Sequence, residues 1–173
     1  MSPPRPQDAL GFRRAWVDAR QRWADTIATA QALSEELLHV RVDGEWSFVE
    51  TQRHLLFVTD SWVIRGLLGE RAPHHPLGLP PTGMTAVRGL PDLEARPGLA
   101  EVLQLRDERL RLVDSVLEEL TDTVLDEERR AVGAGHPRAG LWPVRRCLTA
   151  VVTEEWRHRD YAARDLATLM SRG

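Results

Sequence analysis

The segment that decides the fold lies near the C-terminus, where residues 153–166 read TEEWRHRDYAARDL. It belongs to a longer run that has no proline after Pro143 and no glycine before the last residue. Such a run predicts a long helix. Within it, Glu154 and His158 are four residues apart, which places both side chains on one face of the helix, one turn apart. Since carboxylates and imidazoles both bind metal ions, the pair is a candidate part of a metal site.

The bulk composition predicts one soluble domain over residues 1–173. The chain is 42% hydrophobic and 28% charged, as is ordinary for a globular protein with a substantial core. Its formal net charge is -3 and its pI is about 6.1, so no overall positive charge favours binding to nucleic acid. The single cysteine, Cys147, excludes an internal disulfide framework and is expected to be a core residue.

The N-terminus does not resemble a targeting segment. Residues 1–7 contain three prolines and are expected to form a disordered tail. No apolar run approaches the roughly 20 residues that a membrane-spanning helix needs. The sequence therefore predicts a cytoplasmic protein with no membrane contact.

Apolar residues at helical intervals predict three more long helices, over 8–39, 47–69 and 99–128, besides the last helix over 143–170. The second helix begins at a capping box formed by Ser47 and Glu50. No segment shows the alternation of a strand. The expected fold is an all-α four-helix bundle.

The connection between the second and third helices differs in kind from the rest of the chain. Residues 71–97 contain six prolines and three glycines, which no long helix tolerates. Their apolar content, which includes Val87 and Leu90, favours an ordered crossover over a disordered linker. A crossover of this length is usually functional when it is ordered.

His54 on the second helix is the obvious third ligand for Glu154 and His158. Two imidazoles and a carboxylate would leave a coordination position open, as in catalytic zinc sites, and the same set suits non-haem iron. The alternative is that both histidines are surface or hydrogen-bonded core residues. Glu155 could be solvated beside arginines such as Arg157, and the loop histidines could be exposed or could add a ligand; these loop residues are His74, His75 and His136.

Two motifs carry a family resemblance. Residues 44–62, GEWSFVETQRHLLFVTDSW, and residues 154–166, EEWRHRDYAARDL, resemble the second-helix and C-terminal motifs of the DinB-like superfamily, which includes the YfiT-like proteins. The loop HPLGLP at 75–80 and the dipeptide at 96–97 fit the same branch. The resemblance covers nearly the whole chain in order and spacing.

This resemblance implies an up-up-down-down bundle that is often dimeric, and a divalent metal, commonly zinc or nickel. The metal would be held by a histidine of the second helix, matched by His54, and by a His-x-x-x-His pair of the last helix, whose second member matches His158. Position 154 departs from that pattern because it holds glutamate. A carboxylate also suits zinc, manganese or iron, and Glu155 at three-residue spacing is the alternative ligand.

The resemblance also implies a class of activity. Better-understood members resemble thiol-dependent enzymes, including mycothiol-dependent maleylpyruvate isomerase, in which the metal lowers the pKa of a cofactor thiol. We therefore expect a metal-dependent thiol S-transferase or isomerase that acts on a small molecule. Arg53 and Arg157 are candidate contacts for the carboxylates of a thiol cofactor. The alternatives are a metal-dependent hydrolase and a non-catalytic small-molecule-binding or stress protein.

Overall fold

Helices account for most of the computed structural model, which describes residues 2–84 and 92–172. In chain order the elements are α1 (Ala9–Ala30), α2 (Glu35–Leu38), α3 (Phe48–Thr59), a π-helical segment (Asp60–Arg65), α4 (Leu99–Glu118), α5 (Asp122–Leu125), β1 (Glu128–Ala131), β2 (Gly140–Pro143) and α6 (Val144–Ser171). Helix α1 packs against α6 and α4, and α3 packs against α4 and α6. The prediction of a predominantly helical protein is confirmed.

The prediction of one continuous helix over 8–39 is wrong. Helix α1 ends at Ala30, and a new short helix begins after Ser34, whose hydroxyl accepts a hydrogen bond from the amide of Leu37. A cap of this kind satisfies an amide that has no partner inside its helix. The turn between the two helices brings Leu38 into the core, where its side chain is almost fully buried.

Helix α3 begins at the predicted capping box, which is confirmed. The Ser47 hydroxyl accepts from the Glu50 amide at 3.3 Å, and the Glu50 carboxylate accepts from the Ser47 amide at 2.8 Å. Every residue of α3 except Glu50 is buried, so this helix is central to the fold. After Thr59 the helix continues as the wider π-helical segment, a local change that is frequent at functional sites.

The predicted third helix is also too long, and the expectation of a protein without strands is corrected. Helix α4 ends at Glu118, and the Thr121 hydroxyl caps the short α5. Strands β1 and β2 then pair in antiparallel fashion, with Ala131 opposite Gly140. The pairing is made by backbone groups over four residues on each side, so it does not require the alternation of apolar side chains by which a longer strand is recognised.

Helix α6 follows β2 directly and has nearly the predicted bounds, beginning immediately after Pro143. Its buried side chains contribute to two apolar clusters. One includes Phe12, Leu125 and Leu148, and the other includes Trp23 and Leu166. No helix among residues 2–84 and 92–172 has both the length and the apolar character to cross a membrane.

The described parts of the predicted crossover, residues 71–84 and 92–97, contain neither helix nor strand. They are attached to α3 and to the π-helical segment. The Asp60 carboxylate accepts from the amide of His75 at 2.9 Å, and the amide of Leu79 donates to the Arg53 carbonyl at 3.0 Å. The expectation that Val87 and Leu90 order this segment lies outside the described residues.

Candidate metal centre

Helices α3 and α6 bring the three predicted metal ligands together. His54 is 4% exposed on the buried helix α3, whereas Glu154 and His158 are half-buried on α6. One ligand atom from each of the three lies within 4.8 Å of the other two. Because α3 packs directly on α6, the four-residue spacing on α6 points both of its ligands at the same residue of α3.

Two of the three separations between ligand atoms are close to those found around a single ion. His158 Nε2 lies 3.1 Å from Glu154 Oε2, and His54 Nε2 lies 3.6 Å from the same oxygen. Two tetrahedral ligands, each about 2.0–2.1 Å from zinc, are about 3.3 Å apart. The two observed distances lie on either side of that value.

The backbone of the crossover determines which nitrogen of His54 faces the site. His54 Nδ1 lies 2.9 Å from the carbonyl oxygen of Leu79. A carbonyl oxygen can only accept, so Nδ1 carries the hydrogen and donates it. Nε2 is therefore the nitrogen that faces Glu154. This is the arrangement by which metal-binding histidines are usually oriented, with the second nitrogen hydrogen-bonded to the protein.

Electrostatics keep Glu154 ionised. The hydrogen bond with His158 is the largest cause that holds the pKa of the Glu154 carboxyl well below its usual value, and the interaction with His54 is the second. Partial burial acts in the opposite direction. The site therefore presents a carboxylate oxygen beside His54 Nε2 and His158 Nε2.

Two aromatic residues that the sequence analysis did not single out border the site. The ring centroid of Trp46 is 4.5 Å from that of His54 and 5.8 Å from that of His158. The Tyr161 ring is perpendicular to that of His158, and their centroids are 5.7 Å apart. The sequence contains a signal that both residues are near the site. Trp46 immediately precedes the capping box of the helix that carries His54, and Tyr161 is three residues after His158 on the same helix face.

A cavity of about 250 Å³ lies beside His158. It is lined by Gly44, Glu45, Trp46, Thr51, Thr82, His158, Tyr161 and Asp165. The lining combines the aromatic rings of Trp46 and Tyr161 with polar side chains that include Thr51 and Asp165.

The structure places the other predicted site residues elsewhere. Glu155 is fully buried and forms two hydrogen bonds with Arg106 of α4, so it is not beside His54. The Arg53 guanidinium is also buried, and it donates to the crossover carbonyls of Leu77, Ala95 and Asp92. Arg157, the remaining predicted cofactor contact, is exposed at the surface.

The loop histidines and the cysteine do not belong to this cluster within the described residues. His74 and His136 stack on Phe57, and burial, with Arg65 nearby, lowers the pKa of His74 to about 4. Burial raises the pKa of the Cys147 thiol to about 12. A thiol with such a pKa is a poor nucleophile near neutral pH, as expected for a core residue.

Comparison with known proteins gives one positive result. A family model described as the DinB superfamily matches residues 18–162. The match therefore includes α3 and all three candidate ligands. Neither the curated proteins nor the solved structures yielded a match.

Proposed function

The chain belongs to the DinB superfamily, and from that premise we propose that it is a divalent-metal-dependent enzyme of the thiol S-transferase or isomerase type. The proposed ligands are His54, Glu154 and His158. The observation that carries the proposal is that His54 Nε2 and His158 Nε2 both approach Glu154 Oε2, while the hydrogen bond at His54 Nδ1 leaves Nε2 as the nitrogen that faces the site. A cation between these three atoms would be held by two imidazole nitrogens and one carboxylate oxygen.

The donor set supports zinc or nickel and is also compatible with iron or manganese. Bound at this position, a divalent cation would favour the thiolate form of a coordinated thiol near neutral pH. The carboxylate of Glu154 adds negative charge that a third histidine would not. We therefore expect a weaker Lewis acid here than in relatives whose ligands are all imidazoles.

The chain's own residues would hold the ligands in position and admit the substrate. The Leu79 carbonyl fixes the orientation of His54, and the Trp46 ring packs beside both imidazoles. The cavity beside His158 provides space for a small thiol or its electrophile. Because the Cys147 thiol is buried with a raised pKa, the reacting thiol would be a separate molecule.

The remaining family properties are part of the same proposal. We propose that the four long helices form the up-up-down-down bundle of the superfamily, that the protein acts as a homodimer, and that Arg157 is the contact for a charged group of the substrate. The exposure of Arg157 supports its role, whereas Arg53 and Glu155 are engaged in buried interactions.

Metal content and thiol consumption test the proposal. Protein purified without chelators is expected to carry close to one divalent ion per chain by elemental analysis, and His158→Ala is expected to lose it. His39→Ala is the matched control, because His39 follows α2 and belongs to no candidate ligand cluster in the described chain. Wild-type protein that contains no metal and takes none up on titration would refute the proposal.

The reaction class is tested separately with the metal-loaded protein. A panel of electrophiles is incubated with a low-molecular-weight thiol, and loss of free thiol is followed by colorimetry. Metal-dependent thiol loss that disappears in His158→Ala supports a transferase. Hydrolysis of activated esters without thiol would instead support a hydrolase, in which the metal activates water.

A further inference from the structure

Thr51 of α3 has a hydroxyl group that the fold does not use. The residue is 4% exposed, and its side chain makes no hydrogen bond within the described chain. A threonine inside a helix commonly donates to the carbonyl four residues earlier, as Thr59 of the same helix does to Leu55 at 3.2 Å. The Thr51 hydroxyl lacks this bond. A buried polar group that has no partner in the protein is a candidate contact for a bound molecule.

The free hydroxyl is accessible from the cavity beside His158. Thr51 is one of the residues that line this cavity. The neighbouring Gln52 is in the opposite state, because both polar atoms of its amide are sealed in the core without a partner. Among the described residues, the Thr51 oxygen is not one of the atoms sealed in this way, so it retains accessible surface. Since the residue is almost fully buried, that surface lies in the cavity.

The same cavity reaches the proposed metal centre. His158 lines it, and Thr51 lies three residues before His54 on α3. Side chains at this spacing share a helix face, with about 5–6 Å between their Cβ atoms. A molecule held at the metal centre by one end would therefore bring a group about three carbons away to the region of Thr51. The rings of Trp46 and Tyr161 form the aromatic part of the surrounding wall.

The charges around the cavity restrict the group that pairs with Thr51. The described lining contains no arginine, and its two carboxylates belong to Glu45 and Asp165. Arg164 is the cation beside them, and it lies 2.7 Å from Asp165 and 3.8 Å from Glu45. Two negative charges thus share one positive charge, which disfavours an anionic group at this wall. A threonine hydroxyl both donates and accepts, so it suits a neutral hydroxyl group as its partner.

We propose that the Thr51 hydroxyl positions the substrate by a hydrogen bond to a neutral hydroxyl group of the bound thiol. This inference rests on the proposed function, because it takes the molecule held by the metal as the occupant of the cavity. It adds a residue that contacts the substrate, and it names a substrate class: a thiol whose hydroxyl group lies about three carbons from the sulfur.

Two thiols of the same length test the contact. The affinities of 3-mercapto-1-propanol and 1-butanethiol for the zinc-loaded full chain are measured by NMR titration, in which the indole N–H signal of Trp46 reports occupancy of the cavity. Thr51→Val keeps the shape of the side chain and removes the hydroxyl. It is expected to weaken binding of the alcohol about threefold to tenfold and to change binding of butanethiol less than about twofold. An equal effect on the two thiols, or no effect on either, would overturn the proposal.

Two further variants separate a substrate contact from a structural role. Thr51→Ser restores the hydroxyl and is expected to keep the affinity for the alcohol within about twofold of wild type. Thr59→Val is the matched control, because Thr59 is buried on the same helix, donates to Leu55 and is absent from the described cavity lining. It is expected to leave both affinities unchanged. Weaker binding of the alcohol by Thr59→Val than by Thr51→Val would overturn the assignment.

Stability gives a readout that a structural hydroxyl would change. Thr51→Val removes no hydrogen bond within the protein, so urea denaturation is expected to show the stability of wild type. Thr59→Val removes the bond to Leu55 and is expected to be less stable. A loss of stability in Thr51→Val as large as in Thr59→Val would show that the Thr51 hydroxyl serves the fold and would overturn the proposal.

Metal uptake is measured separately, so the two proposals can fail independently. A chain that takes up no zinc would refute the proposed function. The titrations are then made with the metal-free protein, where wild type is still expected to bind the alcohol more tightly than Thr51→Val does. Absence of that difference would overturn the role of Thr51 as well. A chain that takes up zinc but shows no effect of Thr51→Val would leave the metal centre standing and refute only the inference about Thr51.

Discussion

Glu154 and Glu155 are consecutive residues of α6, yet their carboxylates contact different helices. Glu154 Oε2 lies 3.6 Å from His54 Nε2 of α3, whereas Glu155 forms a two-pronged ion pair with Arg106 of α4. The rotation of about 100° between successive helical residues is sufficient to separate them. One carboxylate is therefore available for the candidate metal centre, and the other is a structural partner in the core.

This difference predicts opposite consequences for two neighbouring substitutions. Glu155→Ala leaves the buried guanidinium of Arg106 without a counter-ion, which is expected to lower the free energy of unfolding by about 3–5 kcal/mol. Glu154→Ala removes a side chain that is 31% exposed and is expected to cost less than about 1 kcal/mol in chelator-treated protein. Urea denaturation measures both values, and a larger loss for Glu154→Ala would contradict the assignment.

Arg53 is expected to stabilise the crossover through hydrogen bonds to three carbonyls. Arg53→Lys keeps the charge but replaces the planar fork by one ammonium, which cannot reach Leu77, Asp92 and Ala95 together. Loss of two such bonds is expected to cost about 3 kcal/mol or more. Thermal unfolding measures the loss, and limited proteolysis is expected to cut the variant faster within the crossover.

Arg157→Lys is the matched control for Arg53→Lys, because Arg157 is exposed. It is expected to change the free energy of unfolding by less than about 0.5 kcal/mol. Equal stability of the two variants would indicate that the carbonyl contacts of Arg53 contribute nothing to the fold.

Stability is expected to fall as the pH is lowered from about 6.5 to about 4. Burial, with Arg65 and His136 nearby, lowers the pKa of His74 to about 4 in the folded protein, against an ordinary value of 6.5. Between these values the unfolded chain binds a proton that folded His74 does not, so acid favours unfolding. The contribution is fully present above pH 6.5 and is lost as the pH falls through that window.

The pH effect is tested with His74→Gln, which retains a polar group for the Ser61 hydroxyl, 3.1 Å from His74 Nε2. The free energy of unfolding is measured by urea denaturation across the window. The variant is expected to show a shallower dependence on pH than wild type. An unchanged slope would show that other groups dominate the acid sensitivity.

Cys147 is expected to be unreactive in the folded protein. Its thiol is buried with a pKa raised to about 12, so almost no thiolate exists near neutral pH. Reaction with a disulfide reagent is expected to be slow in native buffer and complete within minutes in denaturant. Rapid labelling of the native protein would contradict the buried position.

A helix start that carries a local capping motif is predictable from the sequence, whereas a break within a continuous apolar pattern is not. The capping box of Ser47 and Glu50 is a short-range signal, and α3 begins there as predicted. The apolar periodicity continues across the turns that Ser34 and Thr121 cap, so it predicts neither the end of the preceding helix nor the start of the new one. Leu38 and Leu125 are buried again after each turn, so the pattern alone does not distinguish a straight helix from a broken one.

The hairpin of β1 and β2 and the role of Arg53 could not be inferred from local pattern. Each strand has four residues and pairs through its backbone, which leaves little mark on the side chains. The sequence predicts that Arg53 contacts a cofactor, because arginine commonly binds carboxylates. Its actual partners are backbone carbonyls up to 42 residues away, which no spacing rule identifies.

The sequence by itself determined the helical character of the chain, the start of α3, and the placing of Glu154 and His158 on one helix face, because each depends on neighbours within a few residues. Tertiary structure alone decided that Glu154, and not Glu155, faces His54. That outcome depends on the rotation of α6 against α3 and α4, which the burial of Arg106 with Glu155 and the packing of distant apolar side chains determine together. Tertiary structure also decided that the Leu79 carbonyl orients His54, since the two residues meet only when the crossover folds back onto α3.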